Sequence, residues 1–271
     1  MYSRIKFAQK YLKYWLKASN GKGHGTHSPF VYDFIDSVLN DGHYYESYVK
    51  VEALRERLLK DQEMLAVEDF GAGSAFGSSP KRSIAQIARQ SSKSRKLGRL
   101  LFRVSHYYQP KFIVELGTSL GLSTAYLSLG NPEAKLITVE GSDAIAREAA
   151  INFESMGLEN IQLMRGQFDD TLPEILDRFN QPGTIEKAGL VFIDGNHRKA
   201  PTIKYFNAFM GILGASSVLI IDDIHWSEDM EAAWTEIIKD SRVMLSIDLF
   251  QIGLIFKRDD FKVRQHFIIR F

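Results

Sequence analysis

The chain has 271 residues, 45% of them apolar and 25% charged, with a formal net charge of +1 and no cysteine. These values suit a folded globular protein with one large core and exclude disulfides, thiolate catalysis and cysteine-held zinc or iron–sulfur centres. No apolar run reaches the roughly 18 residues of a membrane span and no secretory pattern opens the chain, so a cytoplasmic protein is expected, with no reason in bulk charge to expect nucleic acid.

Before Asp33 the chain carries six Lys or Arg residues and no acid. Lys6, Lys10, Lys13 and Lys17 recur at helical spacing, beside one stripe of Ile5, Ala8, Leu12 and Trp15 and another of Phe7, Tyr11 and Tyr14. Such a helix is expected to pack on the core or in a homodimer with its lysines solvated. The alternative is a peripheral contact with an anionic membrane surface or with nucleic acid. A second helix is expected after Ser28 as N-cap with Pro29 at its first position. His24 and His27 lack a metal-ligand partner in sequence and read as structural, with a substrate-side place as the alternative.

"EMLAV" (63–67) reads as a strand. The glycine-rich "DFGAGS" (69–74) follows, either a surface turn or a loop bordering the substrate side. A long polar helical stretch is expected from Lys81 to Tyr108. Within it, Lys93, Arg95, Lys96 and Arg99 read as a solvated face, with attraction of an anionic substrate as the alternative. No acid-ended strand follows 69–74 before residue 110, so this is not the cofactor loop.

The next glycine turn meets that test. "KFIVEL" (111–116) is a β-branched run read as a buried strand. "GTSLG" follows with Gly117 and Gly121, then a helix with Ser123 or Thr124 near its start, then the strand "KLITVE" ending in Glu140. An acid about 20 residues beyond such a loop can accept hydrogen bonds from ribose hydroxyls. Alternation continues: helix 142–157 capped by Ser142, strand 161–166, helix from "FDDTLPEILDRF", strand 188–195, helix 200–214, strand 216–223, helix 227–240 capped by Ser227, and a strand-rich end. This pattern predicts an α/β fold with a doubly wound, mainly parallel sheet, whose ligands bind beyond the carboxyl ends of the strands.

In order, "VELGTSLGLST", "TVEGSD", "GQFDDTLP", "FIDGNH" and "LIIDDIHW" resemble the class I S-adenosylmethionine-dependent methyltransferases, most closely small-molecule O-methyltransferases of the catechol and caffeoyl-CoA type. The resemblance covers residues 93–271. It implies a Rossmann-like seven-stranded sheet there, with residues 1–92 as an N-terminal helical extension containing the glycine-rich loop.

The resemblance implies cofactor contacts at Glu115, Gly117, Thr118, Gly121 and Ser123, a ribose acid in Glu140, and adenine neighbours in Gln167, Phe168 and Asp169. Asp194 ends the fourth strand and counts among the cofactor contacts. With Asp222 and Asp223 it matches the acids that hold a divalent cation in catechol-type enzymes. Three carboxylates on adjacent strand ends need a counter-charge, and a hard, oxygen-lined site suits Mg²⁺, Ca²⁺ or Mn²⁺. The family commonly has asparagine at the position of Asp223 and lysine at that of His197. His197 is therefore the expected general base and His225 the second candidate, with Asp194 beside them. Trp226 reads as packing. Expected is S-adenosylmethionine-dependent methylation of a small hydroxylated acceptor. The alternatives are a metal-independent enzyme with a histidine base, a non-catalytic cofactor-binding protein and, ranked lowest, a nicotinamide dehydrogenase, whose G-x-G-x-x-G spacing is absent.

Overall fold

A computed structural model describes residues 1–23, 27–67, 81–181 and 186–271. The "DFGAGS" segment and His24 lie outside the described residues. The chain forms two compact units, one built from Met1–Asp41 with Phe179–Phe271 and the other from Gly42–Arg178.

Helix α1 (Arg4–Lys17) starts where the Ser3 side chain accepts from the Lys6 amide. Its aromatic stripe faces inward: the Phe7, Tyr11 and Tyr14 rings lie 5.1, 5.0 and 5.1 Å from the Phe250 ring. The buried Tyr14 hydroxyl donates to the Ile269 carbonyl. This gives the phenol the partner that burial demands. Helix α2 (Pro29–Phe34) has Ser28 as N-cap and Pro29 in its first turn, as expected, and runs into a π turn over Ile35–Leu39.

The unit Gly42–Arg178 begins with helix α3 (Glu46–Leu58), then a two-stranded antiparallel hairpin of β1 (Met64–Ala66) and β2 (Lys81–Ser83), then α4 (Ile84–Ser91) and α5 (Arg95–Tyr108). The stretch from Lys81 is thus not one helix. Ser83 forms a capping box with Gln86, and Ser94 accepts from the Leu97 amide. Each serine starts a new helix because its side chain satisfies an orphan amide. Strands β3 (Phe112–Leu116), β4 (Lys135–Glu140) and β5 (Ile161–Arg165) alternate with α6 (Leu122–Gly130), α7 (Asp143–Ser155) and α8 (Phe168–Asn180). The three strands are parallel, with Glu115 opposite Thr138 and Glu140 opposite Arg165. Ile113, Val114, Leu116, Leu136 and Val139 are buried, which explains the near-continuous apolar runs. The register aligns the carboxyl ends of the strands.

The other unit adds β6 (Ala188–Ile193), α9 (Lys199–Ile212), β7 (Leu213–Asp222), α10 (Glu228–Ile237), β8 (Leu245–Asp248), β9 (Ile252–Lys257) and β10 (Gln265–Ile268). Its strands lie in the order β10-β8-β9-β7-β6. β6 and β7 are parallel, β9 runs antiparallel to both β7 and β8, and β10 is parallel to β8. Ser227 caps α10 by accepting from the Met230 amide. The architecture is the expected α/β class, a mostly parallel sheet flanked by helices. Beyond the hairpin, the described strands number three in one unit and five in the other, where seven in all were expected. The additional strand is β10, four residues from the strand-rich end.

Candidate functional site

The sequence-predicted residues form two groups, each within one unit. The first lies at the ends of β3, β4 and β5. Glu115 is fully buried in β3, and its Oε2 accepts from the Thr124 and Thr138 hydroxyls, the latter at 2.7 Å. Its Oε1 is buried and has no hydrogen-bond donor placed on it among the described residues. Burial pushes the Glu115 carboxyl up to about 7, although the Thr124, Thr138 and Ser123 hydroxyls pull the other way.

After β3 the chain turns at Gly117, whose φ of 104° suits glycine. The Gly117 and Thr118 amides both donate to the Val139 carbonyl, at 3.0 and 3.1 Å. This fixes the loop to β4. Ser119 is left-handed at φ 48°, and its amide donates to Glu140 Oε2 at 2.8 Å. The Ser142 amide donates to Glu140 Oε1 at 3.0 Å. Glu140 is therefore held by one backbone amide on each oxygen, with further lone pairs available. Burial raises its pKa, and the amides of Ser142, Ser119 and Gly141 counter that. Ser142 holds the N-cap position of α7, but its side chain makes no cap bond. Gln167 and Asp169 are exposed and Phe168 half-buried at the start of α8, just beyond the β5 end that pairs with Glu140.

Gly121 is required by packing. It is the N-cap of α6 at φ 86°, and an added Cβ would lie 2.4 Å from the Phe153 ring. Thr124 reaches back to Glu115, and Leu122 is the first residue of the helix.

Two supports escaped the sequence reading. Asn152, fully buried in α7, donates to the Leu120 carbonyl at 3.0 Å and accepts from the Arg57 guanidinium of α3. The Ser91 hydroxyl lies 2.6 Å from that of Ser119. Polar residues mid-helix carry no signal of such distant partners.

The second group lies at the ends of β6 and β7. The parallel register pairs Ile193 with Ile221, so Asp194 and Asp222 leave adjacent strands side by side. Asp194, His197 and Asp222 each offer one ligand atom within 4.8 Å of the others. Among the described residues these three side chains form the group with metal-ligand spacing. Asp223 stands beside it. His197 Nε2 is 3.7 Å from Asp194 Oδ1 and its Nδ1 4.0 Å from Asp223 Oδ2. These are charge-range separations rather than hydrogen bonds. Asn196, His197 and Asp223 all have positive φ, at 66°, 32° and 53°. Such clustered strain is characteristic of functional loops. The Trp226 ring lies 5.7 Å from that of His197.

His225 stands apart from this cluster. Its Nδ1 meets Glu231 Oε1 at 3.1 Å and its Nε2 meets Asp248 Oδ2 at 2.8 Å. Burial lowers its pKa, but the hydrogen bonds and charges of Asp248 and Glu231 outweigh this and leave it raised. Each ring nitrogen of His225 thus faces a carboxylate. It ties loop, α10 and β8 together.

Residues 114–224 match a family model described as a methyltransferase domain. The chain is 27% identical over 164 residues to a catechol O-methyltransferase of Niastella koreensis, covering 60% of this chain and 69% of that one. The solved O-methyltransferase TomG from Streptomyces achromogenes, in complex with SAM, aligns with a TM-score of 0.55 at 19% identity over 80% of this chain and 91% of that one. An O-methyltransferase from Bacillus cereus, in complex with SAH, gives 0.55 at 18% over 80% and 94%. These two structures bear on the fold. The family match begins within β3 and ends just after β7, so the stretch that matches a methyltransferase domain contains both groups of acids, and over 60% of its length the chain is similar to a catechol O-methyltransferase.

Proposed function

We propose that the chain methylates a hydroxyl of a small acceptor. In this reading Glu115, Gly117, Thr118, Gly121, Ser123, Glu140, Gln167, Phe168 and Asp169 hold the cofactor, and Asp194, His197, Asp222 and Asp223 act on the acceptor. The observation that carries it is Glu140, locked by the Ser119 and Ser142 amides with lone pairs left for two ribose hydroxyls. The buried Glu115 Oε1, with no donor placed on it among the described residues, suits the cationic methionine end of that ligand. The division into an extension, 1–92, and a cofactor domain, 93–271, belongs to this reading.

When bound, S-adenosylmethionine supplies an electrophilic methyl group on a positively charged sulfur. His197 takes the acceptor's hydroxyl proton, and Asp194 and Asp223 on either side stabilise the imidazolium that results. The cofactor held there would give its methyl group to the acceptor oxygen and leave as the neutral thioether, and positioning by these residues would supply most of the rate.

A second reading rests on the 4.8 Å cluster, whose donors fit a divalent cation. Asp194 and Asp222 with His197 or Asp223 would hold Mg²⁺, Mn²⁺ or Ca²⁺, whose charge lowers the pKa of a bound hydroxyl. The test is transfer of a labelled methyl group to catechol as probe acceptor, with and without chelator. Transfer that persists in chelator and falls about 10²–10⁴-fold in His197→Ala supports the histidine base. Transfer abolished by chelator and restored by Mg²⁺ supports the cation. Cofactor binding with no transfer to any hydroxylated acceptor would leave a binding protein only.

A further inference from the structure

The outward face of α1 is apolar. Ile5, Leu12 and Leu16 are 74%, 58% and 67% exposed, and Trp15 at their edge is 44% exposed. At 100° per residue these side chains lie opposite Phe7 and Tyr14, the pair that packs on Phe250. Exposed Lys13 and Lys17 run along one flank and Arg4 along the other. The Arg270 guanidinium lies 3.9 Å over the Trp15 ring and adds a further cation to the rim. Helix α1 contains no acid. On the flank of Lys13 and Lys17, Lys6 meets the exposed Glu228 at 2.8 Å, and Lys10, nearer the core, meets Glu231 at 2.6 Å. Scattered apolar exposure is ordinary, but a continuous stripe on one helix is not.

We propose that this face docks on an anionic lipid bilayer. The helix lies along the interface, with Ile5, Leu12 and Leu16 toward the acyl chains, Trp15 at the headgroup level, and Arg4, Lys13 and Lys17 against lipid phosphates. Charge decides between this occupant and a second copy of the chain. A symmetric dimer through the same face would bring two lysine-flanked helices together with no acid on either. An anionic surface complements Arg4, Lys13, Lys17 and Arg270. The contact is peripheral: no described helix is long and apolar enough to cross a membrane. One short helix gives reversible binding. This inference stands independently of the acceptor chemistry.

The experiment is cosedimentation of the full chain with phosphatidylcholine vesicles, plain or containing about 30 mol% phosphatidylserine. The chain should pellet with the anionic vesicles only, and release as salt rises toward about 0.5 M. The doubly substituted Leu12→Gln, Leu16→Gln chain should bind at least about tenfold more weakly, and so should Lys13→Glu, Lys17→Glu. All four positions are exposed, so folding is retained, and an unchanged thermal midpoint checks it. Equal partition to both vesicle types, or undiminished binding by the Leu12, Leu16 variant, overturns the proposal. So does a stable dimer in sedimentation velocity that Leu12→Gln dissociates, which would assign the face to a second copy.

Discussion

Asn152 donates its side-chain amide to the Leu120 carbonyl from a fully buried position in α7. The same side chain accepts from Arg57, so α3 braces the loop between β3 and α6 through a single residue. Removing it leaves a buried carbonyl and a guanidinium without their partner, at a cost of about 1–3 kcal/mol. Asn152→Ala should therefore lower stability by that amount and weaken cofactor binding alongside. Thermal denaturation and calorimetric titration with S-adenosylhomocysteine check both.

Gly121→Ala should destabilise the protein by about 2–4 kcal/mol. Overpacking against Phe153 costs about 1–3 kcal/mol, and a left-handed alanine adds about 1. The ring of Phe153 is itself buried and has little room to give way. Denaturant unfolding reads the loss, and Phe153→Leu in the same chain should recover part of it.

Glu115 makes a pH prediction. Unfolded, its carboxyl ionises near the ordinary 4.5; folded, near 7. Between these values the native state holds the extra proton, so this group's stabilisation, full below 4.5, is lost as pH rises through 7. Glu115→Gln removes that dependence. Relative to wild type, the variant should gain stability from pH 4.5 to 7 and hold a constant difference above. Urea unfolding across this range checks it, and a difference that does not move with pH would contradict the buried-acid assignment.

The two histidines should separate. His197 sits in a loop among Asp194, Asp222 and Asp223, so His197→Ala should lower turnover about 10²–10⁴-fold with little change in melting temperature. His225 bridges Glu231 and Asp248. His225→Ala should lower stability by several kcal/mol, because Glu231 and Asp248 lose the ring nitrogens they share, and turnover per folded molecule should change far less. Rates normalised to the folded fraction distinguish the two.

The parallel core was readable because buried strands such as Phe112–Leu116 and Lys135–Glu140 are apolar runs closed by an acid or a glycine turn. The β1–β2 hairpin was not: Lys81–Ser83 is short and polar, and its partner lies across the glycine-rich segment. Ser142 had the sequence of a cap, yet its backbone amide serves Glu140 instead. Asp194 and Asp222 were legible as strand-end acids. The grouping of His197 with them depends on a left-handed turn at residues 196–197, which no periodicity records. The double engagement of His225 was invisible because Asp248 comes from another strand, 23 residues away. On α1, the sequence showed three stripes without saying which turns inward. Phe250 decides that, by receiving the aromatic one.

The central claim is that the strand-end acid of β4 holds the ribose of S-adenosylmethionine, and calorimetric titration of wild type and Glu140→Ala with S-adenosylhomocysteine tests it most directly. Loss of charge-assisted hydrogen bonds should cost about 1.5–3 kcal/mol, roughly a ten- to hundredfold weaker affinity, with Glu140→Gln between the two. Equal affinity in wild type and Glu140→Ala would contradict the account.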